Sequence, residues 1–204
     1  MTLPKRRERY RSELRAETLS AARKLIQEEG YQGLTIRKLA TRMECSPMAL
    51  YSYFADKQAL LAALALEGFE KVAKRFGSAA DHDPLTALRN ILLDYIAYAE
   101  EYPNEYRILF LSVEALGERK RSREDLQQNP AFGALFKRVE TCIKAGVLQG
   151  DAFAISTVLW TGAHGAASLL ITATNFPFGS RSLYSEEVVA TILSGVQNHV
   201  IARV

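Results

Sequence analysis

Apolar positions along this chain recur at spacings of three and four, and no sustained alternation of β-branched with polar residues occurs anywhere. The pattern therefore predicts helices and no strand. Nine helices are expected. The first runs from Lys5 or Arg6 to Gly30, the second is TIRKLATRM behind Thr35, and the third opens at Ser46 and Pro47. The fourth runs from Asp56 to about Gly77, the fifth opens at Asp83 and Pro84, and the sixth runs from Pro103 to a point before Gly117. The seventh spans Asn129 and Pro130 to near Gly146, the eighth opens at Asp151, and the ninth at Ser185 with Glu186 and Glu187. A capping side chain followed by proline recurs at these starts. The side-chain oxygen takes an otherwise orphaned N–H, and proline at the first helical position has no N–H to leave unpaired. The polar connection GERKRSREDLQQN, residues 117–129, is expected to be the most mobile, and no internal repeat is evident.

One pair of helices carries a sharper signal. Ile36, Leu39, Ala40 and Met43 share one face of the second helix, and Leu50 and Phe54, four apart, share one face of the third. Only Glu44 to Ser46 separate them. Two short helices with an apolar inner side and a tight turn make a helix-turn-helix. Pro47, Met48, Ala49, Tyr51 and Ser52 then lie on the outer side, where such a helix can enter the major groove of DNA. The hydroxyls of Tyr51 and Tyr53 can reach phosphates beside the groove. Thr35 and Lys57 stand at helix N-termini, where N–H groups and the dipole favour phosphate.

Charge supports a division of labour. Residues 1–60 hold 12 Lys and Arg against 7 Asp and Glu, whereas the remainder holds 14 against 16. A basic front on a slightly acidic body points to an anionic partner for the front alone. The length of 204 residues, with 48% apolar and 24% charged, suits an ordinary globular chain. Two cysteines fit a reducing, cytoplasmic setting, and the basic N-terminus lacks the apolar run of a secretory signal. Residues 152–180 contain no Asp, Glu, Lys or Arg and are long enough to span a bilayer. Within its apolar core, residues 152–174, His164, several Ser and Thr, two glycines and the lack of a basic flank instead mark a helix buried in a bundle or an oligomer interface, with no membrane partner.

Residues 30–61, GYQGLTIRKLATRMECSPMALYSYFADKQALL, resemble the DNA-binding domain of the TetR family of bacterial regulators. By position, Thr35, Tyr51, Tyr53 and Lys57 resemble the family's phosphate contacts, and Arg37, Pro47, Met48 and Ala49 fall where family members approach bases. Ser46 and Ser52 complete the expected DNA-binding set. One residue departs from the pattern: Glu44 stands where the family usually has the glycine that suits positive φ, so a strained or re-shaped turn is expected at a cost of order 1 kcal/mol. Cys45, at a position where the family has valine, reads as a small buried hydrophobe. Further on, YIAYAEEYPNEYRILF (95–110) and WTGAHG (160–165) resemble the WHG-type effector domain of some TetR regulators. That resemblance implies an all-helical body, a dimer through a four-helix bundle of the last two helices, and a small-molecule pocket. The residues agree: Gly162, Ala166 and Ala167 allow close helix approach, and Val189, Ile192, Val196, Val200 and Ile201 make an apolar stripe.

The reading is an all-α chain, with a three-helix helix-turn-helix domain over 1–55 and a helical effector and dimerisation domain over 56–204. Its partners are double-stranded DNA, a second copy of the chain and an apolar or aromatic effector. Pocket candidates are Tyr95, Tyr98, Tyr102, Phe110, Phe136, Trp160 and His164, with Tyr106 and Phe132 beside them, although aromatics at helical spacing are most often core. His82, His164 and His199 lie far apart and no Cys or His pair has ligand spacing, so no metal or other cofactor is expected. Two other classes compete with a ligand-released repressor on a palindromic operator. One is a regulator whose body only dimerises. The other is a helical enzyme using Asp94, Glu100, Glu101 or His164, which no nucleophile, phosphate-loop or metal motif supports.

Overall fold

The computed structural model describes residues 3–76, 83–111 and 122–202. These form ten α-helices and no strand: α1 (Leu3–Gly33), α2 (Ile36–Arg42), α3 (Pro47–Tyr51), α4 (Lys57–Phe76), α5 (Pro84–Glu101), α6 (Pro103–Tyr106), α7 (Arg123–Gln128), α8 (Pro130–Lys144), α9 (Ala152–Thr172) and α10 (Arg181–Asn198). The starts follow from their caps. Thr35, Ser46, Asp83, Asn129 and Asp151 each accept a backbone N–H from the first turn of the helix behind them. At Gly30 the chain turns to φ 73°, which breaks α1 before a last turn.

Four expectations change. The last helix begins at Arg181, one turn before Ser185, because Ser180 is its cap; Ser185 is buried, and its hydroxyl donates to the Arg181 carbonyl. That helix also ends at Asn198. Val200 lies beyond it and is 70% exposed, while Ile201 pairs with Gly150 and accepts from the Asp151 N–H. Part of the polar connection is ordered as α7, closed by a reciprocal capping box between Ser122 and Asp125; residues 117–121 lie outside the described residues. The sixth helix opens at Pro103 as expected but passes into a π-helical turn over Arg107–Leu111, and its expected end falls outside the described residues, as do Gly77 and His82.

The chain divides into two compact units. The first comprises the described residues of Met1–Gly68 and Asn104–Arg119. Its core joins Leu19, Ala22 and Ile26 of α1, Leu39 and Ala40 of α2, Leu50 and Phe54 around α3, and Leu60, Leu61 and Leu64 of α4. The second comprises those of Phe69–Pro103 and Lys120–Val204 and is built from α5, α8, α9 and α10. Here the uncharged α9 packs on all three neighbours, and half of its most apolar stretch is buried. Gly162 of α9 is needed for that packing, since a Cβ there would lie 2.7 Å from the Ile192 side chain of α10.

Candidate nucleic-acid interface and effector site

The turn between α2 and α3 is closed by backbone bonds that fix its shape. The Cys45 N–H donates to the Ala40 carbonyl at 3.0 Å, and the Glu44 N–H donates to that of Thr41 at 3.2 Å. This pair of bonds is a Schellman motif, which places the residue just past the helix in the left-handed region. That residue is Glu44, at φ 51°. The expected strain is therefore present, and the turn keeps its motif. Cys45 is half-buried against the first unit's core, in accord with a small hydrophobe.

α3 is set by its own ends. Ser46 Oγ accepts from the Ala49 N–H at 3.2 Å, Pro47 occupies the first helical position, and the Ser52 hydroxyl donates to the Ala49 carbonyl at 2.6 Å. Ser46 and Ser52 thus hold the helix at both ends. Leu50 is buried on the inner side, whereas Met48 is 76% and Tyr51 47% exposed on the outer side. Pro47 is exposed and Ala49 half-buried. Thr35, exposed, caps α2 through the Lys38 N–H, and Arg37 is exposed beside it. Lys57 opens α4 with its ammonium 5.0 Å from the centre of the Tyr31 ring, and Tyr53 is half-buried against the core. The expected DNA-binding residues therefore gather on α2, α3 and the start of α4, and no charged group is buried among them.

In the second unit, three of the expected pocket residues meet. Trp160 Nε1 donates to the Tyr95 hydroxyl at 3.2 Å, and that hydroxyl lies 3.0 Å from His164 Nδ1. Trp160 and His164 lie 5.3 Å apart with their rings tilted by 37°, and Phe132 meets Trp160 edge-on at 6.4 Å. Indole N–H can only donate, so the Tyr95 oxygen accepts it, and the same hydroxyl is hydrogen-bonded to Nδ1 of a His164 ring that carries one proton when neutral. Burial lowers the His164 pKa and favours this neutral ring. Tyr98 is buried and packs on Tyr102 at 5.2 Å, while Phe136 is half-buried on α8. Phe110 is not among them: it belongs to the first unit and packs on Tyr106 at 4.8 Å.

With this geometry in view, the comparisons decide the family. Residues 19–64 match the bacterial regulatory proteins of the tetR family, and residues 88–192 match the tetracyclin repressor-like C-terminal domain. The chain belongs to the TetR family. The HTH-type transcriptional regulator UidR of Escherichia coli (strain K12) is 27% identical over 138 residues, 66% of this chain and 63% of UidR. The chain thus spans just under two thirds of that relative's length. Among solved structures, a protein of unknown function from Rhodococcus sp. RHA1 superposes with a TM-score of 0.74 at 24% identity, covering 90% of this chain and 95% of the other. RolR in complex with resorcinol superposes with a TM-score of 0.70 at 17% identity, covering 93% and 90%. These two show the fold.

Sequence reasoning missed what braces the reader of this TetR-family chain. Arg42 of α2 makes a two-pronged bond with Glu28 of α1 at 2.5 and 2.6 Å, and Lys38 pairs with Glu29. The Arg42 hydrogen bond lowers the pKa of Glu28, and the same bond raises that of Arg42. Nothing local marks these pairs, because the partners are separated by 14 and 9 residues. Also missed are Arg11, whose guanidinium carbon lies 5.9 Å from the Tyr53 ring centre, and Arg15, 5.6 Å from that of Phe54.

Proposed function

We propose that this protein is a DNA-binding transcriptional repressor, cytoplasmic and not an enzyme, that reads a palindromic operator as a homodimer and is released by a small apolar or aromatic effector. The observation that carries the reading is α3, capped at both ends, with an inner side closed on the core and an outer side that leaves Met48 and Tyr51 exposed. Residues 1–55 would read DNA and 56–204 would bind effector and partner copy. Arg37, Pro47, Met48 and Ala49 are assigned to base edges, and Thr35, Ser46, Tyr51, Ser52, Tyr53 and Lys57 to phosphates and to holding the helix.

Dimerisation is supported by an exposed, uncharged stripe on α9 and by a run of small exposed residues on α10 beyond Glu186 and Glu187. On α9 these are Val158, Thr161, Gly165 and Leu169; on α10 they are Ala190, Thr191 and Ser194, with Leu183 at the helix start. Small side chains over two helices suit close packing against the same helices of a second copy. The effector site is assigned to Tyr95, Trp160 and His164, with Tyr98, Tyr102 and Phe136 as neighbouring wall; Phe110, which packs on Tyr106 in the first unit, is not assigned to it. Clustered aromatic rings with a few polar tips suit a flat ligand bearing a hydroxyl. RolR, similar in fold, binds resorcinol, a ligand of that kind. Release would be a population shift carried by α4, whose residues to Gly68 belong to the first unit and from Phe69 to the second.

A thermal-shift panel of phenols and other aromatics, run with and without operator DNA, tests the effector arm. A true effector raises the melting temperature of the free protein, equivalent to about 2.7 kcal/mol at a hundredfold excess over Kd, and lowers operator affinity. A panel that moves neither quantity leaves the alternative of a regulator whose body only dimerises.

A further inference from the structure

α1 carries a feature that the reader's own residues do not use. Its buried stripe descends through Ile26, Ala22, Leu19 and Thr18. Continued toward the N-terminus at steps of four, the same face holds Arg15 and Arg11. Where the stripe leaves the core, arginine replaces leucine. Arg11 and Arg15 are exposed, yet each is laid over a ring at the C-terminal edge of the reading helix: Tyr53 for Arg11 and Phe54 for Arg15. A guanidinium held at cation–π distance from a ring keeps its N–H donors available, and such a fork of donors can bind a phosphate in two prongs. Neither has a carboxylate partner among the described ion pairs, whereas Arg9, on the opposite face, pairs with Glu13 at 3.3 Å. One helical turn separates Arg11 from Arg15, about 6 Å, close to the spacing of neighbouring phosphates along one DNA strand.

We propose that the Arg11 and Arg15 face of α1 is a second phosphate-binding element, which grips the DNA backbone beside the groove that α3 enters. The proposal rests on the DNA-reading function. The occupant is the DNA backbone because the face is cationic, adjoins Tyr53 of the reader, and lies in the part of the chain that holds the excess of positive charge.

The test uses full-length protein and an operator recovered by selection, with affinity measured against salt concentration. Arg11→Gln with Arg15→Gln removes four charges from a dimer. The slope of log K against log salt should then shrink by about 3 to 4, at about 0.9 per contact, with equal weakening on operator and random DNA. The single variant Arg11→Gln should show about half that change. Arg11→Lys with Arg15→Lys should keep the slope, and Arg9→Gln should leave it unaltered. An unchanged slope in the folded double Gln variant would overturn the proposal. So would a double Lys variant that weakens binding as much as the Gln variant while its melting temperature falls, since the arginines would then act only through their ring contacts. Wild-type protein with no sequence preference would instead overturn the DNA-reading function, and this proposal with it.

Discussion

Glu44 shows how a single residue can carry strain without losing a motif. Its left-handed φ of 51° is imposed by the Schellman bonds from its own N–H and that of Cys45, and a Cβ is unfavourable there. Glu44→Gly should raise stability by about 1 kcal/mol, seen as a melting temperature roughly 2–4 °C higher, whereas Glu44→Ala should not. A fall with glycine would contradict the strain. This residue was legible only through the resemblance to a family that usually has glycine at this position of the turn. His164 was legible only as a candidate. Its bond to Tyr95 joins residues 69 apart, which no local pattern encodes. Burial lowers its pKa from 6.5, so above pH 6.5 its contribution to stability is complete. As pH falls below 6.5 the unfolded chain takes the proton first, and stability declines through the folded pKa. Urea unfolding at pH 7.5 and 5.5 should show a loss that His164→Gln reduces; an equal loss in both proteins would contradict it.

Among the elements, starts were easier to read than ends or pairings. A cap followed by proline is local, so Asn129 and Asp83 announce α8 and α5 directly. The start of α10 was misplaced because Ser180 and Ser185 are both able to cap, and only burial of Ser185 on the core face distinguishes them. The π-helical turn after α6 and the short α7 carry no periodic apolar signal. Packing separates the roles of two aromatic residues that the sequence left alike. Tyr98 is 3% exposed and packed on Tyr102, so Tyr98→Ala should cost about 3–5 kcal/mol and weaken DNA binding only through unfolding. Trp160→Phe retains ring bulk and removes the N–H that holds Tyr95, at about 1 kcal/mol. It should leave operator affinity intact and shift the effector response. Thermal melts and operator binding of both variants, measured together, check this pair. A large melting drop for Trp160→Phe with loss of DNA binding would return Trp160 to the core.

For the whole molecule, a basic reader is joined to a helical body with an uncharged exposed stripe on α9. The charge split between residues 1–60 and the remainder is visible in the sequence, but the placement of Arg11 and Arg15 over Tyr53 and Phe54 required the fold. Lys57, at the first turn of α4, should act as a phosphate contact, so Lys57→Ala should lower the salt slope by about one unit per subunit and leave base preference unchanged. A changed consensus at constant slope would contradict that role. The central claim, a symmetric dimeric reader of DNA, is tested most directly by selecting binding sites from random duplex DNA with the purified full-length protein and footprinting the winners. The account predicts an inverted repeat whose half-sites are centred about one helical turn apart, roughly 34–36 Å, or somewhat more. Recovery of no enriched sequence, or of one asymmetric half-site bound by a monomer, would contradict it.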